Sequence, residues 1–265
     1  FFMYLAYYTV HVPLQAPEHL VQKYQAKAEA LPTSDLPEFA DEEQVWPVDD
    51  PRRVRAMQRH ATYAAMVETL DTSVGRILAK LKELDLADNT VVCFTSDNGG
   101  LSTAEGSTTA TLPLRGGRGW LYEGGIREPF FIRWPGVTDA ATTCDVPVGG
   151  LDFAPTLLEI AGITSRPDLH VDGVSLVPLL RGGNQLSRDA LYWHYPHYSN
   201  QGGFPGAAIR RGQYKLIERF EDGALELYDL QSDVGERHNL ADEMPDRVTE
   251  MRSTLHAWYD KVGAT

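Results

Sequence analysis

The sequence predicts an α/β fold that ends in a small antiparallel sheet with a packed helix, and three observations predict it. A long helical pattern runs into a short β-branched and aromatic run at residues 91–94, which is typical of a buried strand. Four strand-like runs follow one another after residue 185, and glycine turns join the last three. An amphipathic pattern at residues 248–262 then predicts a helix that covers one face of their sheet.

Length and composition narrow the class of protein. The 265 residues allow one large domain with a smaller companion, and we place the boundary at a polar break, giving domains 1–184 and 185–265. A hydrophobic content of 43% is typical of a globular protein. The formal net charge of −13 argues against nonspecific binding to nucleic acid or to an anionic membrane. No apolar run approaches the roughly 20 residues that a membrane span requires.

The first half of the chain combines strand-like and helical patterns. Residues 1–8 form a strand-like core segment without an initiator methionine or the features of a signal peptide, so we expect further sequence before it. Residues 18–30 predict a helix. Residues 51–84 predict a longer helix, with apolar side chains at intervals of three or four. Asp49 and Asp50 are its predicted N-cap.

The strand that begins at Thr90 leads into two adjacent polar side chains, Asp97 and Asn98, followed by two glycines. Ligands of open α/β sheets bind at the carboxyl ends of the strands. A carboxylate beside an amide oxygen offers hard donors that suit calcium or magnesium. The alternative is an Asx turn that merely closes the strand, since Asp-Asn-Gly-Gly is also ordinary turn sequence. His11 stands at the end of the first predicted strand, a similar position.

Residues 113–129 form a second candidate segment, with five glycines and three arginines. Glycines permit tight backbone geometry, and the forked donors of arginine suit a tetrahedral oxyanion. We therefore predict that Arg115, Arg118 and Arg127 bind an anionic group. The alternative for Arg127 is an ion pair with a neighbouring glutamate.

An aromatic loop at residues 193–203 follows the first strand of the predicted C-terminal sheet. Aromatic rings stack on sugars, and amide groups hydrogen-bond to hydroxyls. His194 and His197 are the candidate substrate-binding residues of this loop. The alternative is a loop that packs on the main domain through its rings.

Together these motifs resemble the C-terminal half of a type I, formylglycine-dependent sulfatase of the alkaline phosphatase-like fold. The resemblance rests on Ser-Asp-Asn-Gly at residues 96–99 and on Leu-Arg-Gly-Gly-x-Gly-x-x-x-Glu-Gly-Gly-Ile-Arg-x-Pro at residues 114–129. Tyr-Lys-Leu-Ile at 214–217 and Glu-Leu-Tyr-Asp-Leu at 226–230 extend it over essentially the whole chain. The implied fold is a mixed sheet flanked by helices, of which this chain would hold a part.

The resemblance implies roles for four residues. Asp97 and Asn98 match a pair that holds one Ca²⁺ in the family, together with two aspartates from nearer the N-terminus. His11 matches a histidine that hydrogen-bonds the sulfate ester near its leaving oxygen. Arg118 takes the position of a lysine that contacts the sulfate. The implied substrate is a small-molecule or glycan sulfate ester, and family habit implies a periplasmic or extracellular protein.

The nucleophile of the family is not found in this sequence. Members carry Cys-x-Pro-x-Arg or Ser-x-Pro-x-Arg, whose first residue becomes formylglycine. Neither Cys93 nor Cys144 begins such a motif, and no serine does. The paired aspartates are absent as well. We therefore expect the formylglycine and the remaining calcium ligands to lie upstream, and the chain as given to be inactive.

Two other functions stay open on the sequence alone. A phosphatase, phosphodiesterase or phosphonate hydrolase of the same superfold usually has Asp-His where this chain has Asp97 and Asn98, since imidazole suits zinc or manganese. The second is a degenerate, non-catalytic relative that binds carbohydrate through the aromatic loop. A sulfatase that acts on sulfated carbohydrates is the function that the sequence favours.

Overall fold

The computed structural model describes residues 1–32, 37–42, 52–164, 166, 168–169 and 171–264. Its helices are α1 Glu18–Glu29, α2 Ala61–Glu83, α3 Glu123–Ile126, α4 Phe153–Ile160, α5 Val177–Leu180 and α6 Pro245–Val262. Its strands are β1 Phe39–Glu42, β2 Arg52–Arg55, β3 Val92–Thr95, β4 Phe130–Arg133, β5 Ala190–Tyr195, β6 Gly206–Arg211, β7 Tyr214–Arg219 and β8 Leu225–Asp229.

The C-terminal antiparallel sheet is confirmed. Its four strands are ordered β5-β6-β7-β8, and each pairs antiparallel with the next. The turn residues Gly212 and Gly223 both have positive φ, which suits the tight turns that join β6 to β7 and β7 to β8. The predicted helix is also present as α6, which packs against this sheet.

The two faces of the four-stranded sheet contact different parts of the chain. Ala207, Ile209 and Leu216 face α6 and pack with its Val248, Met251 and Leu255. Ala208 and Ile217 face the other way and pack with Trp120, Leu121 and Tyr122. This alternation follows from the two-residue period of a strand. The sheet is therefore buried on both faces, and one of them lies against residues 113–129, which we call the glycine–arginine segment.

The prediction of a core strand at residues 1–8 is wrong. The segment forms no strand, and within the described residues no strand pairs with it. Its large side chains face solvent, with Phe1 83% and Tyr4 84% exposed. An apolar, aromatic composition predicts a strand only where a neighbouring strand supplies hydrogen bonds and cover.

The prediction of one helix over residues 51–84 is wrong at its start. Residues 52–55 form β2, which pairs with β1 and sets Val54 opposite Ala40. The helix begins only at Ala61 and runs to Glu83, while Asp49 and Asp50 lie outside the described residues. His60 is the N-cap, and its Nδ1 accepts the Tyr63 N–H at 3.3 Å. Val54 is a single apolar residue among arginines, so this stretch fits the period of a helix and that of a strand equally well. Its pairing with β1 decides for the strand.

The strand before Asp97 is present, but the prediction that it is fully buried is wrong. β3 pairs antiparallel with β4, so that Thr95 lies opposite Phe130, and no parallel partner of β3 occurs in the described residues. Its first three residues are half-buried and Thr95 is exposed, because a two-stranded sheet cannot enclose either strand.

The predicted domain boundary at residue 184 falls between α5 and β5 and stays a prediction. Buried ion pairs cross it, and one of them joins Arg188 to Asp152. Arg188 donates from both terminal nitrogens to the carboxylate of Asp152, at 2.6 and 2.8 Å, and Asp152 is fully buried. No helix in the described ranges is both long and apolar enough to cross a bilayer.

The capping role of His60 gives a pH-dependent prediction. Burial, reinforced by the charge of Arg55, lowers the pKa of His60 below its usual 6.5, and only a neutral Nδ1 can accept the Tyr63 N–H. The unfolded chain therefore binds the proton first, and the stability contributed by His60 is lost as the pH falls below about 6.5. We expect urea unfolding to show a smaller loss of stability between pH 7 and pH 5 in His60→Asn, which caps without titrating. Parallel pH profiles for the two proteins would contradict this assignment.

Candidate functional site

The loop after β3 is held by close backbone contact with α3. The Gly99 N–H donates to the carbonyl of Gly125 at 3.1 Å. A Cβ added to Gly99 would overlap the carbonyl oxygen of Gly124, so only glycine permits this approach. On the other side, the Arg118 N–H donates to the carbonyl of Gly100 at 2.9 Å. Residues 97–100 are therefore fixed by both parts of the glycine–arginine segment.

Asp97 and Asn98 present oxygen atoms on this loop. Asp97 is exposed, and its carboxylate accepts no hydrogen bond from the residues that the structure describes. The Nδ2 of Asn98 donates to the carbonyl of Gly99 at 3.0 Å, which leaves its Oδ1 for a ligand. The Ser96 hydroxyl also donates to the carbonyl of Asn98 at 3.0 Å. The loop thus contains local turn contacts and a pair of hard donors at once.

Glu128 lies opposite Asp97 and was not predicted from the sequence. The β3–β4 pairing ends at Thr95 and Phe130, and Asp97 and Glu128 are each two residues beyond it, on the same side. The Oε1 of Glu128 is buried and has no hydrogen-bond partner among the described residues. Burial and the charge of Asp97 raise the pKa of Glu128 to about 7.

The residues present fit part of a hard-cation site. Asp97 offers an unpaired carboxylate, Asn98 offers an amide oxygen, and both are donors that calcium accepts. No group of three or more His, Cys, Asp or Glu side chains converges as a metal site within the described ranges. Two or more further ligands would have to come from outside this set, as the sequence resemblance implies.

The structure brings His11 and Arg118 together, although they are 107 positions apart in sequence. Arg118 Nη1 lies 2.9 Å from His11 Nε2, and His11 Nδ1 lies 2.8 Å from the carbonyl of Val12. A carbonyl only accepts and a guanidinium only donates, so the proton of a neutral His11 is on Nδ1 and Nε2 is the acceptor. Both side chains remain accessible to solvent. The two residues predicted to contact the substrate therefore form one surface cluster beside the loop that carries Asp97.

The prediction that Arg115 binds substrate is corrected by its burial. Its side chain is 9% exposed, and its Nη2 donates to Glu42 Oε1 at 2.8 Å. Its Nη1 donates to the hydroxyl of Tyr228 at 3.2 Å, and its guanidinium lies over the ring of Tyr122 at 3.9 Å. Arg115 therefore belongs to the packing between this segment and the C-terminal sheet. Its spacing from Arg118 could not reveal that it turns inward.

Arg127 is half-exposed and lies 3.7 Å from Glu123, one turn earlier on α3. This is the ion pair that the sequence left open as the alternative. Its exposed donors still face solvent, so substrate binding by Arg127 stays a prediction.

The assignment of His194 to a sugar-binding loop is also corrected. His194 is within β5, and its ring packs against Phe220 and against Tyr259 of α6. Its neighbours Trp193 and Tyr195 face the opposite side of the sheet, towards the cluster that contains Trp120. The strand period therefore turns His194 away from Arg118.

The rest of the aromatic loop packs beside Arg118. A Cβ on Gly203 would overlap the carbonyl oxygen of Gly119, and one on Gly202 would meet the ring of Trp120. Both glycines have positive φ. Asn200 donates to Glu105 at 3.3 Å, which joins this loop to residues 101–111.

His197 lies on the same loop. It is exposed and contacts Tyr195 edge to face, so its role in substrate binding stays a prediction.

The close backbone contact at Gly99 gives a direct test of this architecture. Gly99→Ala should destabilise the protein by about 1–3 kcal/mol, because the added methyl group overlaps α3. Gly75→Ala is the matched control, since Gly75 is in α2 with open space around it. It should stabilise the protein by about 0.5–1 kcal/mol through helix propensity. Equal stability of Gly99→Ala and the unmutated protein in urea unfolding would show that the contact is not made.

Comparison with known proteins identifies the family of this chain. The sulfatase family model matches residues 1–163. A second model, for the C-terminal part of N-sulphoglucosamine sulphohydrolase, matches residues 117–262. A sulfatase of Formosa agariphila is 35% identical over 100% of this chain and 47% of its own length. Human arylsulfatase A is 32% identical over 70% of this chain and 40% of its own. The chain thus spans about half the length, or less, of these relatives.

Solved structures show the same fold. Ps i-CgsB, in complex with a neocarrahexaose, has a TM-score of 0.72 at 26% identity and covers 94% of this chain and 48% of its own. BT4656, in complex with its substrate D-glucosamine-2-N,6-O-disulfate, has a TM-score of 0.64 at 29% identity over 76% and 40%. The phosphonate monoester hydrolase of Agrobacterium radiobacter has a TM-score of 0.58 at 28% identity over 76% and 41%. The match over residues 1–163 and the relative that aligns with the whole chain show that this chain belongs to the sulfatase family and has its alkaline phosphatase-like fold.

Proposed function

We propose that the whole protein hydrolyses sulfate esters of carbohydrates. The observation that carries the proposal is the surface cluster of Arg118 and His11, fixed by the Arg118 N–H to Gly100 hydrogen bond beside Asp97 and Asn98. A guanidinium, an imidazole and two hard oxygen donors at one place provide charge stabilisation and proton transfer for a tetrahedral anion. A protein of net charge −13 needs such a local cationic site to attract a sulfate.

In this proposal Arg118 binds the sulfuryl oxygens. Its fork can donate two hydrogen bonds to one anionic group, whereas a lysine would act as a point charge. It now donates to His11 Nε2. A bound sulfate offers stronger, charged acceptors, so Arg118 would turn towards the substrate. His11 Nε2, which accepts from Arg118 in the free protein, is then released and can take up a proton from solvent. The resulting imidazolium donates a hydrogen bond or that proton to the leaving oxygen.

Asp97 and Asn98 would hold a calcium ion together with ligands from outside the described residues. Bound calcium would stabilise negative charge on the sulfuryl oxygens. The nucleophile in this family is a formylglycine, which we expect upstream of this chain. Glu128, opposite Asp97, adds a further carboxyl group on the same side of the loop.

Support for a carbohydrate substrate comes from the loop at residues 196–203. It packs on Gly119 and Trp120, directly after Arg118, and it carries amide side chains and the exposed ring of Tyr198. Groups attached to a sulfate at Arg118 would therefore meet this loop first. The similar proteins solved with a neocarrahexaose and with a sulfated glucosamine are consistent with this substrate class. Export to the periplasm or outside the cell is part of the same proposal.

Phosphonate or phosphate ester hydrolysis is the second candidate, because a phosphonate monoester hydrolase is among the similar structures. Asn98 distinguishes the two proposals. An amide oxygen suits one hard cation, whereas the phosphatases of this superfold usually place a histidine here for zinc or manganese.

The substrate class can be tested on the full-length gene product. Sulfated monosaccharides, an aryl sulfate and the matching phosphate esters are assayed in parallel with calcium present. We expect kcat/KM for a sulfated sugar to exceed that for the corresponding phosphate ester by at least about tenfold. Turnover of phosphate esters without turnover of sulfate esters would favour the second candidate. A preference for the aryl sulfate by orders of magnitude would count against a carbohydrate substrate.

The proposed binding of calcium by Asp97 and Asn98 can be tested by Asp97→Ala in the same protein. Loss of a charged ligand should weaken calcium binding and lower kcat by about 100-fold or more. Asp139→Ala is the control, since Asp139 is exposed and distant in sequence from the loop. Calorimetric titration with calcium gives a measurement that does not depend on turnover. Unchanged affinity in Asp97→Ala would remove Asp97 from the site.

The anion site can be tested by Arg118→Ala and Arg118→Lys. Removal of a charged donor should lower kcat/KM about 100- to 1,000-fold. Lysine should restore part of this loss, because it retains the charge without the fork. Full activity of Arg118→Ala would contradict the proposed role.

A further inference from the structure

Lys215 is the most completely buried charged side chain in the C-terminal sheet. It lies on β7, and its side chain is 0% exposed. Its Nζ is 3.1 Å from Glu123 Oε1 and 2.8 Å from Glu236 Oε1. The side chains of these two glutamates are 2% and 0% exposed. One ammonium group therefore lies between two carboxylates from separate parts of the chain, and none of the three has a role in the proposed reaction.

The three buried residues connect to the Asp97 loop through α3. The second carboxylate oxygen of Glu236 accepts the backbone N–H of Glu123 at 2.6 Å, at the first residue of α3. Two residues later, the carbonyl of Gly125 accepts the N–H of Gly99 at 3.1 Å. Lys215 is thus linked to the loop that carries Asp97 by a short chain of ionic and backbone contacts.

The direction in which Lys215 points supports this connection. Residues 215 and 217 of β7 lie on one face of the sheet, and Ile217 packs with Trp120, Leu121 and Tyr122. Residues 216 and 218 lie on the other face, towards α6. Glu218 on that face pairs with Arg252 at 2.7 Å and with His256 at 2.7 Å. One strand therefore carries two buried charged residues, and only Lys215 faces the candidate site.

Charge balance explains why the lysine matters. Burial raises the pKa of Glu236, and the positive charge of Lys215 acts against that rise. Glu123 has two further cations nearby, Arg210 at 3.6 Å and Arg127 at 3.7 Å. Glu236 has no other ion pair among the described residues. Removal of Lys215 would leave the Glu236 carboxylate buried without an ion-pair partner, and this is the carboxylate that holds the start of α3.

We propose that Lys215 is a positioning residue of the candidate site: through Glu236 and Glu123 it holds α3 against residues 97–100. The C-terminal sheet then determines the positions of Asp97, Asn98 and Arg118. It also carries, between β5 and β6, the loop at residues 196–203, which we propose contacts the substrate. The inference rests on the proposed function in one respect, namely that residues 97–100 and Arg118 belong to the catalytic site. The mechanical link from Lys215 to Gly99 stands on the contacts alone.

The test compares Lys215→Met with Glu218→Gln in the full-length protein. Both substitutions remove a buried charge from β7, but only the side chain of Lys215 lies on the face towards α3. Amide hydrogen exchange is followed in peptides that cover residues 97–101 and 118–126, and in peptides from β5 and β6 as an internal reference. We expect exchange at 97–101 and 118–126 to be at least about tenfold faster in Lys215→Met, because one partner of a buried ion pair has been removed. Glu218→Gln should change these peptides less than twofold.

Kinetics of sulfate ester hydrolysis provide the second measurement. In Lys215→Met we expect kcat to fall at least about tenfold, and Lys215→Arg, which keeps the charge, should recover part of both kcat and exchange protection. Exchange within twofold of the unmutated protein at residues 97–101 would overturn the inference. If Lys215→Met does not fold, the double variant with Glu236→Gln, which restores neutrality, is measured in the same way. Failure of both to fold while Glu218→Gln folds would show a general structural role and would also overturn it.

The two proposals fail in different ways. If the unmutated protein hydrolyses no sulfate ester, the proposed function fails, while the exchange data still decide on the link from Lys215 to residues 97–101. If it does hydrolyse sulfate esters and exchange is unaffected in Lys215→Met, only the positioning role is lost.

Discussion

The arrangement of the site depends on a backbone contact that only glycine allows. Gly99 lies so close to Gly124 and Gly125 that no Cβ fits, and its N–H bonds to the carbonyl of Gly125. This contact joins the Asp97 loop to α3. The same glycine–arginine segment returns to the loop through the N–H of Arg118. The polar side chains of the site are therefore held by main-chain geometry, which leaves them free to contact a ligand.

Buried charged residues stabilise this backbone arrangement by connecting it to the C-terminal sheet. Arg115 bonds to Glu42 and Tyr228 and lies over Tyr122, while Lys215 lies between Glu123 and Glu236. Each buried charge has an opposite charge within ion-pair distance, as burial away from water requires. These contacts connect the segment at residues 113–129 to the four-stranded sheet. The C-terminal part of the chain therefore supports the candidate site. Substitutions in the sheet are expected to alter the geometry of that site.

Residues that share one sequence motif have separate roles in the folded chain. Arg115, Arg118 and Arg127 occur within 13 positions, yet Arg115 is buried, Arg118 contacts His11, and Arg127 pairs with Glu123. The aromatic loop divides in the same way, since His194 packs on α6 while residues 200–203 contact Glu105, Gly119 and Trp120. In both cases the residue type suggested a chemistry, but only the structure showed which way each side chain faces.

The sequence by itself determined the C-terminal sheet with its helix, and also α1. Its motifs determined the family, and they placed Asp97 and Asn98 in the loop after a strand. These features are predictable because strand alternation, glycine turns and short motifs are local signals. Only the tertiary structure decided that residues 1–8 form no strand in the described chain, that α2 begins at Ala61, and that Arg115 and His194 turn away from the site. It also placed His11 on Arg118 and Glu128 opposite Asp97. The physical reason is the same throughout: burial and pairing depend on partners far away in the chain, and no local pattern specifies which partner arrives.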